Sequence, residues 1–241
     1  MSRGVEKQAI YRSDEDRRVF LALLTTTARE HGISLFAYCL MGNHFHILLA
    51  IADTPLAISM QKFLTCYSLY FNRVHERSGH VFESRYKAEP CEDLAYLIQL
   101  TAYIHRNPVR AGLVAKCADW PWSSHAEFLN PESRILDFSR LEYICDITPE
   151  ELRTRYLERI ENADSDIRPE LSVLLKLAAS TAGVHADELT PAHRSRAHTN
   201  AKRLFIDWAS EEGYSDILIA SALNCSRAAV SMFRSRNAAT S

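Results

Sequence analysis

The chain has 241 residues, 47% of them hydrophobic and 24% charged, with a formal net charge of −2. That is enough apolar chain for one sizeable core, or for a core domain and a smaller second one, and it excludes collagen-like and disordered classes. A near-neutral balance also excludes a polycation, so any nucleic-acid partner has to be held by local basic patches. No apolar run approaches the roughly 20 residues of a membrane span, and the opening MSRGVEKQAIYRSDEDRR shows no apolar signal core. Six cysteines without a CxxC pair argue against a disulfide framework or a cysteine zinc site. A cytoplasmic, nucleoid-associated protein is the expectation.

In chain order, residues 14–31 read as an amphipathic helix, with Ser13 as N-cap, Asp16 three residues on, and Gly32 as the stop. ISLFAYCL (33–40) and HFHILLAI (44–51) read as two strands joined by Met41-Gly42-Asn43. Thr54-Pro55 opens a long helix in which Met60, Phe63, Leu64, Tyr67 and Phe71 recur at helical spacing. VFESRYKAE (81–89) reads as a short strand. Residues 92–107 read as a helix that Pro108 should stop at Asn107. ADWPWSS (118–124) is turn-rich and aromatic. A polar break follows at 129–135, and the pattern beyond it is helical, ending in short helices at 215–224 and 226–236. The predicted organisation is an α+β domain over 1–130, a helical linker over 131–165 and a helical region over 166–241.

Three constellations could carry chemistry. Strand alternation puts His44 and His46 on one face, where two imidazoles can share a metal ion, with Phe45 on the other. Taken alone, the pair reads equally as two half-exposed strand histidines. Tyr103 and Asn107 stand one helical turn apart at the edge of the packed stripe. A phenol there can be a covalent nucleophile, with an amide oxygen beside it for a hard metal, or simply a packed tyrosine. Between 61 and 116, eight cations stand against five acids, and Tyr67, Tyr70, Phe71, Phe82 and Tyr86 are interleaved with them. This suits single-stranded nucleic acid, or a solvated face over core aromatics. Together the three are the parts of a nuclease that attacks a phosphodiester with tyrosine.

YCLMGNHFHILLA (38–50), FNRVHERSGHVFESRYKAE (71–89), YIHRNPVRAGLV (103–114) and DWPWSSH (119–125) resemble, in order, the motifs of the HUH single-tyrosine transposases. More narrowly, they resemble the REP-associated tyrosine transposases of the insertion-sequence 200-like group. The resemblance implies a ferredoxin-like antiparallel sheet with helices on one face. It implies His44 and His46 as metal ligands, Tyr103 as nucleophile and Asn107 as third ligand. It also implies cleavage and rejoining of single-stranded DNA beside a hairpin through a 5′-phosphotyrosine, with Mg²⁺ or Mn²⁺ and no nucleotide cofactor. Arg73, Arg77, Arg85, Lys87 and Arg110 are the candidate DNA contacts. Relatives act as dimers or monomers, so a homodimer is among the implied assemblies. Ser2-Arg3-Gly4 opens the chain where relatives carry a preceding strand, which predicts that strand's loss. The resulting alternative is a non-catalytic DNA-binding or regulatory remnant. A small-substrate metal hydrolase fits poorly, because no carboxylate cluster surrounds the histidines.

At the C-terminal end, Ser215 and Ser226 can cap helices, and Ala229, Val230 and Phe233 form an inward face. Arg227, Ser231 and Arg234 form another face at i, i+4, i+7, the spacing of a helix-turn-helix reading duplex DNA. Arg194, Arg196, Lys202 and Arg203 could add phosphate contacts. The competing reading is a helical hairpin closing a small bundle.

Overall fold

The structure is a computed structural model that describes residues 1–86, 88, 90–91, 93–130, 135–161, 171–212 and 214–238. The chain divides into two compact units, Met1–Lys87 with Cys91–Ser165, and Ala88–Pro90 with Asp166–Ser241. The first is α+β, with a small antiparallel sheet and helices; the second is helical over its described residues.

In the first unit, helix α1 (Asp14–His31) starts at a capping box. The Ser13 hydroxyl accepts from the Asp16 N–H at 3.2 Å, and the Asp16 carboxylate accepts from the Ser13 N–H at 2.9 Å. Strands β2 (Ser34–Leu40) and β3 (His44–Ala50) form the predicted hairpin. Strand β1 (Ser2–Arg3) pairs antiparallel with β3, giving the order β1-β3-β2. Where the sequence predicts loss of the first strand, this two-residue pairing of Ser2 with Phe45 and Arg3 with His44 is what the sheet holds. Gly4 then passes under the next turn so closely that a Cβ would lie 2.3 Å from the Gln8 carbonyl oxygen.

Phe45 enters the core on one face of β3. Its ring lies 5.0 Å from Phe20 of α1 and 6.3 Å from Phe63 of α2 (Leu56–Val74). The other face receives α3 (Leu94–Arg110), through the ring contact of His46 with Tyr103. The expectation of helices on one face therefore describes α1 and α2 only, since α3 covers the opposite side. The outward-facing edge of β2 is also occupied. Leu40 N–H donates to the Trp122 carbonyl at 2.8 Å, Tyr38 N–H to Ser124 Oγ at 2.8 Å, and the N–H groups of Ser124 and Asp137 donate to the Tyr38 and Leu35 carbonyls. The Trp120 indole adds a bond to the Leu40 carbonyl. The aromatic turn of 118–124 is thus a clasp on β2.

Four sequence expectations are corrected here. Helix α3 passes Pro108 and continues to Arg110. Pro108 forfeits its own N–H bond and its ring crowds the carbonyl one turn back, yet the helix runs two residues further before Gly112, in the left-handed region, closes the end with its N–H on the Val109 carbonyl. The strand expected over 81–89 is, among the described residues, an isolated bridge between Gly4 and Phe82. Tyr67 and Phe71 are fully buried rather than stacking platforms, because their i, i+4 spacing aims them into the α1–α2 interface. The stretch read as a linker forms α4 (His125–Leu129) at its border, then α5 (Phe138–Cys145) and α6 (Pro149–Glu161), which bury Leu141, Leu152 and Tyr156 in the first unit's core. The boundaries placed at 130/131 and 165/166 fall at or within stretches outside the described residues.

The second unit comprises α7 (Leu171–Ala182), α8 (Arg196–Glu211), α9 (Asp216–Ala222) and α10 (Arg227–Ala238) around Phe205, Ile206, Ile219 and Val230. Ser226 caps α10 through the Ala229 N–H at 3.2 Å, whereas the Ser215 side chain makes no cap bond to α9. Residues 223–226 separate the last two helices, more than the single residue expected.

Candidate active site

The site grows from the β2–β3 hairpin. With Phe45 held in the core, alternation turns His44 and His46 to the opposite face, where their ring centroids stand 5.1 Å apart. The Asn43 carboxamide oxygen lies 2.7 Å from His44 Nδ1 and accepts its proton, which leaves the ring's lone pair on Nε2. His46 titrates well below the ordinary histidine range. Burial is the main cause, followed by repulsion from His44 in its protonated form, the chain's amino terminus, Arg3 and Arg110. At neutral pH it is a neutral imidazole, the form that ligates a metal.

Helix α3 supplies the rest. The Tyr103 ring meets His46 edge to face at 5.8 Å, and the Arg110 guanidinium lies 5.2 Å from the same ring. Asn107, one turn beyond Tyr103, donates its side-chain N–H to the Tyr103 carbonyl at 2.9 Å, which leaves the amide oxygen as a ligand atom. Among the described residues no group of three His, Cys, Asp and Glu side chains could hold a metal. The side chains on this face with lone pairs to offer are two imidazoles and, one turn beyond Tyr103, the Asn107 amide oxygen.

His44, His46, Tyr103, Asn107 and Arg110 thus share one face of the first unit. Arg73 and Arg85 are exposed residues of the same unit. Arg77 lies over the Phe71 ring at 5.6 Å and bonds Gln8. Lys87 lies outside the described residues. In the second unit Arg227 and Ser231 are exposed on α10, while the Arg234 side chain lies outside the described part. Lys202 is occupied by the Thr190 and His193 carbonyls rather than presented for phosphate. Sequence reasoning missed Arg3 as part of the charge around His46, although Ser2-Arg3-Gly4 was the available signal. It also missed a buried polar network beside the site. His105 Nδ1 and His125 Nδ1 both bond the Tyr156 hydroxyl, and His105 Nε2 bonds Ser124 Oγ.

The α+β unit thus brings paired imidazoles up against a helix-borne tyrosine. The profile of the family described as "Transposase IS200 like" matches residues 5–107, the segment that holds every residue of this cluster except Arg110 and Arg3. Residues 5–107, somewhat less than half of the chain, are thus similar to that family. No curated protein gives a significant match. A solved structure, that of a REP-associated tyrosine transposase bound to a REP hairpin, is similar at 15% identity and a TM-score of 0.43, over 51% of this chain and 73% of that one.

Proposed function

We propose that this protein is a REP-associated tyrosine transposase that cuts and rejoins single-stranded DNA beside a hairpin, with Tyr103 as nucleophile. One observation carries the reading: within a segment of transposase sequence, the Tyr103 ring stands 5.8 Å from the ring of His46, itself paired with His44. In the reaction the Tyr103 oxygen, having lost its proton to solvent, attacks phosphorus in line. The Oη–P bond forms and the P–O3′ bond breaks. The electron pair leaves with O3′, which takes up a proton as the free 3′-hydroxyl. The 5′-phosphotyrosine conserves the bond energy, so a 3′-hydroxyl can reverse the step without a nucleotide cofactor. Arg110, beside the ring, favours the phenolate. His44, His46 and Asn107 would hold Mg²⁺ or Mn²⁺, which when bound would supply Lewis-acid charge to the phosphate. The exposed Arg73 and Arg85 serve as phosphate contacts.

In the same reading the second unit holds duplex DNA, with α10 as recognition helix. The burial of Val230 and the exposure of Arg227 and Ser231 on α10 support it. Arg227→Ala is expected to weaken duplex binding by roughly tenfold, measured by fluorescence anisotropy at fixed salt.

The decisive test is a hairpin-bearing oligonucleotide incubated with Mn²⁺ and the full chain, then run on a denaturing gel. A covalent protein–DNA adduct is expected with the wild type and not with Tyr103→Phe. His44→Ala and His46→Ala are expected to abolish the adduct while keeping most of the affinity, since binding rests on phosphate contacts and stacking. An adduct that persists in Tyr103→Phe defeats the assignment.

A further inference from the structure

The fully buried Tyr156 hydroxyl sits between two imidazoles, 2.7 Å from His105 Nδ1 and 2.5 Å from His125 Nδ1. It comes from α6, well outside the segment that matches the transposase family. A phenylalanine would fill the same space, so packing alone does not account for the hydroxyl. Its bonds form a continuous path: Tyr156 to His105 of α3, and His105 Nε2 to Ser124 Oγ at 2.8 Å. Ser124 in turn accepts from the Tyr38 N–H at 2.8 Å and donates its own N–H to the Tyr38 carbonyl at 3.0 Å. Tyr38 pairs with Ile47, and the next residue, Cys39, pairs with His46. The path therefore fastens α3 to the strand pair that carries the candidate metal ligands. One direction of proton donation satisfies every bond in it: His125 Nδ1–H to the Tyr156 oxygen, the Tyr156 hydroxyl to His105 Nδ1, His105 Nε2–H to Ser124 Oγ, and the Ser124 hydroxyl to the Tyr38 carbonyl at 3.3 Å.

His105 follows Tyr103 by two residues, so at about 100° per residue the two side chains leave α3 on nearly opposite sides. A bond at His105 therefore acts on the same rotation that swings Tyr103. With the phenol oxygen roughly 8 Å from the helix axis, a rotation of about 10° displaces it by more than 1 Å. Displacements of that size at a reacting centre cost on the order of 100-fold in rate.

We propose that Tyr156 is a positioning residue for the strand-transfer reaction: its hydroxyl, bridging His105 and His125, sets the rotation of α3 and thereby places Tyr103 against His46. This rests on the nucleophilic role proposed for Tyr103. The test uses the full chain with Tyr156→Phe, which keeps the ring and removes the hydroxyl. Adduct formation in single turnover is expected to slow by about 10- to 100-fold, with oligonucleotide affinity unchanged within roughly twofold. Leu152→Ala, on the same helix and outside the network, destabilises the fold and is expected to retain the wild-type rate wherever it remains folded. His125→Leu, which removes one partner of the hydroxyl, is expected to behave like Tyr156→Phe. His125→Asn, whose amide stands where Nδ1 stood, is expected to recover most of the rate. An independent readout is the nuclear Overhauser contact between the Tyr103 and His46 rings, strong in wild type and weakened in Tyr156→Phe and His125→Leu.

The proposal is overturned if the two disruptive variants keep the wild-type rate, if Leu152→Ala loses as much rate as they do, or if their ring contact is unchanged. Should the wild-type chain form no adduct, the nuclease reading fails. The ring contact alone then decides whether Tyr156 sets the position of Tyr103.

Discussion

At the scale of single residues, the chemistry concentrates on few side chains. His46 is kept neutral by burial and by charged neighbours that include Arg3 and Arg110, so positive charge lies along the face of the candidate metal ligands. Arg110 serves both purposes, lowering the His46 pKa and lying 5.2 Å from the Tyr103 ring. Arg110→Ala should therefore slow adduct formation by about tenfold, the equivalent of roughly 1.4 kcal/mol. Arg110→Lys should recover part of that loss, since it restores charge without the planar stack. Single-turnover rates at saturating oligonucleotide check both. The imidazole pair and the tyrosine were legible because strand and helix periods fix which side chains share a face. The Tyr156 hydroxyl was not legible, since nothing in the local sequence tells a hydrogen-bonded buried phenol from a packed one.

At the scale of elements, two features of the first unit bear the strain of their surroundings. Asp16 sits fully buried at the start of α1. Burial works to raise its pKa. Bonds from the Arg12 N–H, His75 and the Ser13 N–H, with the His75 charge, outweigh that and hold it below the ordinary carboxylate range. Asp16→Ala leaves those donors without their acceptor and removes one half of the capping box, which should cost about 2–4 kcal/mol in denaturant unfolding. Gly4→Ala places a methyl group against the Gln8 carbonyl and Ile10 and should cost about 1–3 kcal/mol, read as a fall in Tm. The capping box of α1 was visible as Ser13 and Asp16. The role of α6 was hidden, because only Leu152 and Tyr156 of its thirteen residues are buried and the rest of the helix reads as a solvated spacer. Pro108 misled for a different reason: the bias that it places on Asn107 is a local preference, and the burial of Ile104, His105 and Pro108 overrides it to the end of α3.

At the scale of the whole molecule, the described residues contain no helix long and apolar enough to cross a membrane. The first unit carries two buried histidines, His105 and His125, whose pKa values burial pushes down. Unfolded, each takes a proton near pH 6.5; folded, each resists doing so until lower pH. Their contribution to stability is complete above about pH 6.5 and is lost as pH falls below it, by up to roughly 1.4 kcal/mol per pH unit for each. Asp16 acts in a lower window. Its depressed pKa adds stability above about pH 3.9, which disappears as pH drops through the folded value. Urea midpoints measured between pH 7.5 and 5 should fall in wild type and fall less in His125→Asn.

The clasp that residues 122–124 and 137 place along β2 has a consequence for assembly. Strand-to-strand extension from that side would have to evict bonds already made to the Tyr38, Leu40 and Leu35 backbone. A second copy that joins this protein there must therefore recognise side chains rather than continue the ladder, which also shields the hairpin from runaway edge-on polymerisation.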